Sequence, residues 1–212
     1  EKLLTALGRA RWQGKKLTEL DADVNAGSNR LTARLKLGKK LAGSIDVKAN
    51  QLAMLWPGLQ GRLDASVILG GSPEQPQAQA SAKATAISYK SHSLESFRFN
   101  GELLAEGQLA GTLVATGLVS VKRQLGNLDI SLAGSLADFQ SSMRLTDGIV
   151  TAAFRTSGGW DGEYLSQRFE YGHIQPDGFD RWQLKQAPEL RQSTTTGKLS
   201  APCWHKDEAR IC

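Results

Sequence analysis

The chain has 212 residues, 40% apolar and 22% charged, which suits one or two folded domains and is unlike a disordered chain. Its net charge of +5 is uneven, because residues 1–50 hold 11 Lys/Arg against 5 Asp/Glu while the remainder sums to −1. The longest uncharged, apolar-leaning run near the middle, LAGTLVATGLVSV (109–121), has 13 residues, and about 20 are needed for a helix to cross a bilayer, so no membrane span is expected.

From the first residues onward, apolar and polar side chains alternate. The opening EKLLTALG carries no signal peptide and reads as an internal start, so residues 1–212 are expected to form a single β-rich piece of a longer protein. In LTARLKL, Leu31, Ala33, Leu35 and Leu37 share one face, with Thr32, Arg34 and Lys36 on the other. SIDVKA sets Ile45 and Val47 against Asp46 and Lys48, and RLDASVIL puts Leu63, Ala65, Val67 and Leu69 together, with Ile68 breaking its polar side. NLDISLAG does the same with Leu128, Ile130 and Leu132. A period of two with one wet face is the mark of antiparallel strands. Arg30, Arg34 and Lys36 are accordingly expected to be solvated strand residues, and the basic start a wet sheet face rather than a nucleic-acid or head-group contact.

Turn residues punctuate the pattern at Gly27, Gly38, Gly70-Gly71, Gly101, Asp147-Gly148, Gly158-Gly159 and Asp177-Gly178. Helical signal is thin. NQLAMLWPGL (50–59) allows one turn before Pro57 stops it, and WDGEYLSQRF (160–169) reads as a turn of helix or as a strand. A Leu-x-Gly-x-Leu/Ile cell recurs as LAGSI, LQGRL, LAGTL and LAGSL, spaced irregularly, as in a meander whose glycines sit at a similar height. QAQASAKATA places Ala78, Ala80, Ala82, Ala84 and Ala86 on one face, a stripe that is packed closely or leaves space above it. The pattern predicts an all-β protein of some fourteen short strands.

Chemistry is scarce. No nucleophile elbow, zinc-protease helix, phosphate-binding loop or dinucleotide fingerprint occurs. His92, His173 and His205 stand far apart, and adjacent carboxylates such as Asp207-Glu208 point to opposite faces of a strand. No enzyme activity and no cofactor are expected. The two cysteines, in CWHKDEARIC (203–212), leave three readings. Cys203, His205 and Cys212 supply three zinc ligands where a structural site wants four. A redox pair is normally spaced Cys-x-x-Cys. A disulfide needs an oxidising compartment.

The apolar face needs a cover: a second sheet, a closed barrel, or a hydrophobic guest in a trough. Only 14 aromatic residues are present and Leu, Ala and Val do most of the lining, which leans towards a smooth interior over an interdigitated one. Two stretches, GSNRLTARLKLGKKLAGSIDVKANQLAMLWPGLQGRLDASVILGGSPEQPQAQASA and WQLKQAPELRQSTTTGKLSAPCWHKDEARIC, resemble the middle-to-late part of the TamB family, within the AsmA-like bridge-type lipid transporters. The resemblance runs over most of the chain and is most specific at LWPGLQG and the PCW…C ending.

It implies an elongated, twisted, curled antiparallel sheet, a taco-like trough with an apolar inner face, anchored in the inner membrane by a segment outside this chain. It implies phospholipid transport across the periplasm, with acyl chains as the bound partner. It also implies outer-membrane β-barrel assembly with the barrel protein TamA, whose contact is ascribed to the family's far C-terminal end. The groove candidates are then Leu31, Leu35, Leu37, Ile45, Val47, Leu63, Val67, Leu69, Leu128 and Ile130. The periplasm is oxidising, which turns the cysteine question towards a Cys203–Cys212 disulfide.

Overall fold

The structure, a computed structural model, describes residues 4–212, and over that range it is one antiparallel sheet of 17 strands. Twelve long strands run first: β1 (Leu4–Gln13), β2 (Lys16–Ala26), β3 (Asn29–Leu37), β4 (Leu41–Ala49), β5 (Leu59–Gly71), β6 (Pro76–Tyr89), β7 (His92–Leu103), β8 (Gln108–Ser120), β9 (Arg123–Ser135), β10 (Phe139–Thr146), β11 (Val150–Trp160) and β12 (Leu165–Pro176). Each pairs with the next in sequence. Five short strands follow: β13 (Trp182–Gln186), β14 (Glu189–Gln192), β15 (Gly197–Leu199), β16 (Cys203–Lys206) and β17 (Ala209–Ile211).

The expectation of fourteen strands fell short at this end. β13 and β14 lie one after the other along the free side of β12, separated at Ala187-Pro188. Proline has no N–H to give to a ladder, and its carbonyl here accepts from the Phe169 N–H instead. β15 then pairs with β14, β16 with β13, and β17 with β16. Among the described residues β1 does not meet β15 or β17, so the sheet stays open.

Several glycines have roles that spacing did not reveal. Gly101 and Gly158-Gly159 lie inside β7 and β11, not in turns. A Cβ on Gly101 would stand 2.7 Å from the Phe99 ring, which folds over it, and one on Gly159 would stand 2.0 Å from the Ala137 carbonyl oxygen. The repeated Leu-x-Gly cells do not share one height. Gly43, Gly111 and Gly134 lie towards one end of their strands, whereas Gly61 sits at a bulge near the opposite end. Facing that bulge, Ala86 takes a left-handed φ of 51° and is exposed, so the alanine stripe keeps only Ala78 to Ala84.

The turns fall alternately on two rims. On the first rim, joining odd strands to the next even one, stand Lys15 and Lys16, then Lys39 and Lys40. Later turns of this rim carry Glu74, Glu106, Asp138, Asp161 and Glu163. The Asp161 carboxylate accepts from the N–H groups of Tyr164 (2.7 Å) and Glu163 (2.9 Å), and these bonds hold its pKa below the usual carboxylate range. The second rim exposes Leu55, Trp56, Val121, Ile149 and Phe179. Its segment 50–58 contains a single 3-10 turn, Leu52–Met54, ended before Pro57 as the sequence suggests. WDGEYLSQRF resolves into a turn followed by β12.

Candidate functional site

Residues directly opposite one another in an antiparallel ladder share a face. Followed from strand to strand, the registers assemble one long row: Ala6, Val24, Leu31, Val47, Ala65, Ala82, Phe99, Leu113, Ile130, Met143, Phe154 and Gly172. Gly172 abuts Leu184 of β13, and the row ends on Trp204 and Ile211. No polar side chain interrupts it from one edge of the sheet to the other.

The ten groove candidates all lie on this face. Leu31, Val47 and Ile130 belong to the long row. Ile45 and Val67 pair in the next row, with Ala33 and Ala80. Leu35 and Leu69 stand either side of Gly43 one row further, and Leu37 meets Leu41 at the first rim. Leu63 and Leu128 lie on the other flank, with Ala49, Ala84, Phe97 and Ala115. The sequence reading missed Phe97, Phe99, Met143, Phe154 and Trp204, although the alternation in SFRFNGEL already sets Phe97 and Phe99 together.

Among the described residues nothing covers this face. The buried apolar ones among them are small, Ala33, Ala49, Ala84, Ala115 and Ala152, with Leu52 and Cys203, and no large side chain there is fully buried. A packed sandwich of this size would bury its Leu and Phe residues. Instead most of these side chains are half-buried, and Leu31 is 37% exposed. The face is also curled. Phe154 and Trp204 stand about 14 Å apart by strand spacing, yet their ring centroids are 6.1 Å apart, edge to face. Phe154 reaches over Gly172, where a Cβ would meet its ring at 2.7 Å.

One polar cluster sits among the apolar residues beside the long row. The Ser141 and Thr156 hydroxyls lie 2.6 Å apart, and the Gln167 amide donates to Thr156 Oγ1 at 2.7 Å. Thr156 is 4% exposed, so this hydrogen-bonded set satisfies groups whose burial would otherwise be costly. The run FQSSMRLT signals it, because the alternation puts Ser141 in series with Phe139 and Met143.

The opposite face is polar. Hydroxyl pairs tie neighbouring strands at Ser66–Ser81 (3.0 Å), Ser96–Thr116 (2.8 Å) and Ser131–Ser142 (2.8 Å). Arg30, Arg34 and Lys36 are exposed there, with Arg30 bonded to Asp23 and Arg34 3.8 Å from Asp21. The Arg30 guanidinium holds the Asp23 carboxyl below its ordinary pKa. Two open hollows, of about 400 and 660 Å³, lie on this polar side, the larger beside Asp129, Arg144, Arg155, Tyr171 and His173. Burial, with the nearby Arg181 charge, lowers the His173 pKa.

At the far end Cys203 and Cys212 are joined by a disulfide across β16 and the end of β17, with Cα atoms 4.1 Å apart. Among the described residues no group of three or more His, Cys, Asp or Glu is placed to hold a metal ion. No helix among them is long and apolar enough to cross a membrane.

No curated protein and no solved structure matches the chain. A family model described as the N-terminal domain of TamB matches residues 1–212, which corrects the placement in the middle-to-late part of that family suggested by the sequence. Because the match covers the whole chain, this all-β trough belongs to the TamB family.

Proposed function

We propose that this chain is a stretch of a periplasmic, bridge-like conduit that carries phospholipid between the inner and outer membranes. The observation that supports it is the unbroken apolar row on an open, curled face that no layer covers among the described residues. Acyl chains lie along that row and the polar head stays in water at a rim. Each buried methylene gains about 0.8 kcal/mol over water. The lining is smooth and binds nothing in particular, so transfer along it is passive and no residue performs a reaction.

A second reading has its own observation. β1 is a ten-residue edge strand, exposed throughout, whose outer backbone groups have no partner among the described residues. Such an edge accepts an added strand, as a scaffold for outer-membrane β-barrel proteins acting with TamA would require.

Photocrosslinking separates the two. Crosslinkers at Leu35 and Val67 are expected to capture phospholipid in cells, and one at Arg34, on the polar face, is not. Folded protein that gives no lipid adduct at Leu35 and Val67, but captures barrel-protein strands along β1, would replace the conduit with the scaffold.

A further inference from the structure

The first rim divides its charges by position. The two turns nearest the β1 edge hold Lys15, Lys39 and Lys40, with Lys16 at the head of β2, and no carboxylate, whereas the next four turns of this rim hold five carboxylates and no base. Lys15, Lys16, Lys39 and Lys40 are all exposed. Among the described residues none of them is in an ion pair. Glu19, on the same strand as Lys16, is engaged by Arg11 at 3.0 Å. The nearest acidic turn of this rim, that of Glu74, lies two strands beyond Lys39 and Lys40, roughly 10 Å, so screening over about 8 Å at physiological ionic strength lets it offset the lysines only in part, and the later carboxylates hardly at all. The lysine end therefore keeps its own positive field.

The two lysine turns are two strands apart, roughly 10 Å. An apolar surface begins directly beneath them: Leu37 and Leu41 pair at the foot of one turn, and Trp12 and Leu17 at the foot of the other. Trp12 is 61% exposed. Lysines above an exposed tryptophan and a leucine pair make a boundary between charge and hydrocarbon, the arrangement that suits a lipid head-group layer. A duplex nucleic acid asks for a longer basic strip to follow its phosphates, and this cluster spans only two turns.

We infer that the lysine-tipped β1–β2 and β3–β4 turns, with Trp12 beside them, dock the β1 end of the trough on a membrane surface rich in anionic phospholipid. The strand-borne Arg30, Arg34 and Lys36 take little part, since Arg30 and Arg34 are engaged or close to carboxylates across the polar face. The inference goes beyond the conduit proposal and does not need lipid in the groove.

Sedimentation with vesicles tests it, using this chain, first with vesicles of phosphatidylcholine alone and then with phosphatidylglycerol added. Attraction of about 1 kcal/mol per lysine near an anionic leaflet corresponds to about fivefold in affinity for each. The wild-type chain is expected to bind only the phosphatidylglycerol vesicles and to release them as salt rises. K15E/K39E is expected to bind at least about tenfold more weakly. K90E/K122E, which makes the same change of charge on the second rim, should stay within about twofold. Circular dichroism checks that both variants are folded, and Lys15→Gln/Lys39→Gln, which removes charge without adding acid, serves if either is not. Equal losses from both rims would mean that net charge alone drives binding and would overturn the docking site. So would binding unaffected by K15E/K39E, or binding to duplex DNA with none to vesicles.

Discussion

Asn29 donates from its side-chain nitrogen to the Gln51 carbonyl and accepts from the Gln51 N–H, both at 2.9 Å, and it is 4% exposed. This pair of bonds, with that from Asn50 to the Ser28 carbonyl at 3.1 Å, ties segment 50–58 to the neighbouring β2–β3 turn. Leu52 anchors the segment from within, while Leu55 and Trp56 project outward. Asn29→Ala removes both bonds and leaves a shielded backbone N–H and carbonyl without partners, a loss of about 1–3 kcal/mol. Amide exchange in residues 50–58 should quicken by about tenfold or more while that of β8 and β9 stays unchanged. Slow exchange throughout 50–58 in the variant would show that Leu52 alone holds the segment. Nothing in the string GSNRL marks Asn29 for this role, because its partner lies 22 residues away.

At the scale of elements, the long strands were legible because one face is wet and the other is not. Leu31 to Leu37 and Leu63 to Leu69 show this plainly, and a register slip of one residue would turn every such side chain over. The departures come where the backbone has a second duty. Gly101 looks like a turn residue, yet it is needed mid-strand to make room for Phe99. Ala86 looks like one more stripe residue, yet the bulge turns it outward. The last strands escaped notice because three- and five-residue segments such as GKL and WQLKQ show too little alternation to count. These short strands are also where a covalent tie matters most. By loop-closure entropy the Cys203–Cys212 bond contributes up to about 2.5–3 kcal/mol, and β16 carries Trp204 into the apolar row. Cys203→Ser/Cys212→Ser is expected to loosen β13, β16 and β17 and to dim the Trp204–Phe154 contact, with β1 to β9 unaffected. Intact-mass measurement after alkylation of unreduced, periplasmically expressed protein checks the bond itself, and two alkylated thiols would count against it.

At the scale of the molecule, the sheet has an apolar side that no lid covers among the described residues, and this makes its response to a buried charge unlike that of a packed core. An aspartate at Leu35 in a closed interior would face a desolvation cost of several kcal/mol and tend to unfold the domain. In an open trough the carboxylate keeps access to water, so Leu35→Asp should stay folded with a melting temperature a few degrees lower at most. On the conduit proposal, lipid capture by a crosslinker at Val67 falls sharply in the same variant, because a hydrated ion then stands in the path proposed for acyl chains. An unfolded Leu35→Asp protein would argue that something covers this face after all.

The order in which β1 to β12 pair has a further meaning for how the protein is made. From β2 to β11 each strand pairs along its backbone only with its predecessor and its successor, so this part of the assembly is close to one-dimensional and its ladder contacts are short-range along the chain. A polypeptide entering a new compartment end first need not wait for a distant partner. Every hairpin that emerges can be added to the last, and the growing edge is always the newest strand. The same linear order confines damage: a misfolded hairpin leaves the ones before it intact, and the trough is interrupted at one place instead of lost.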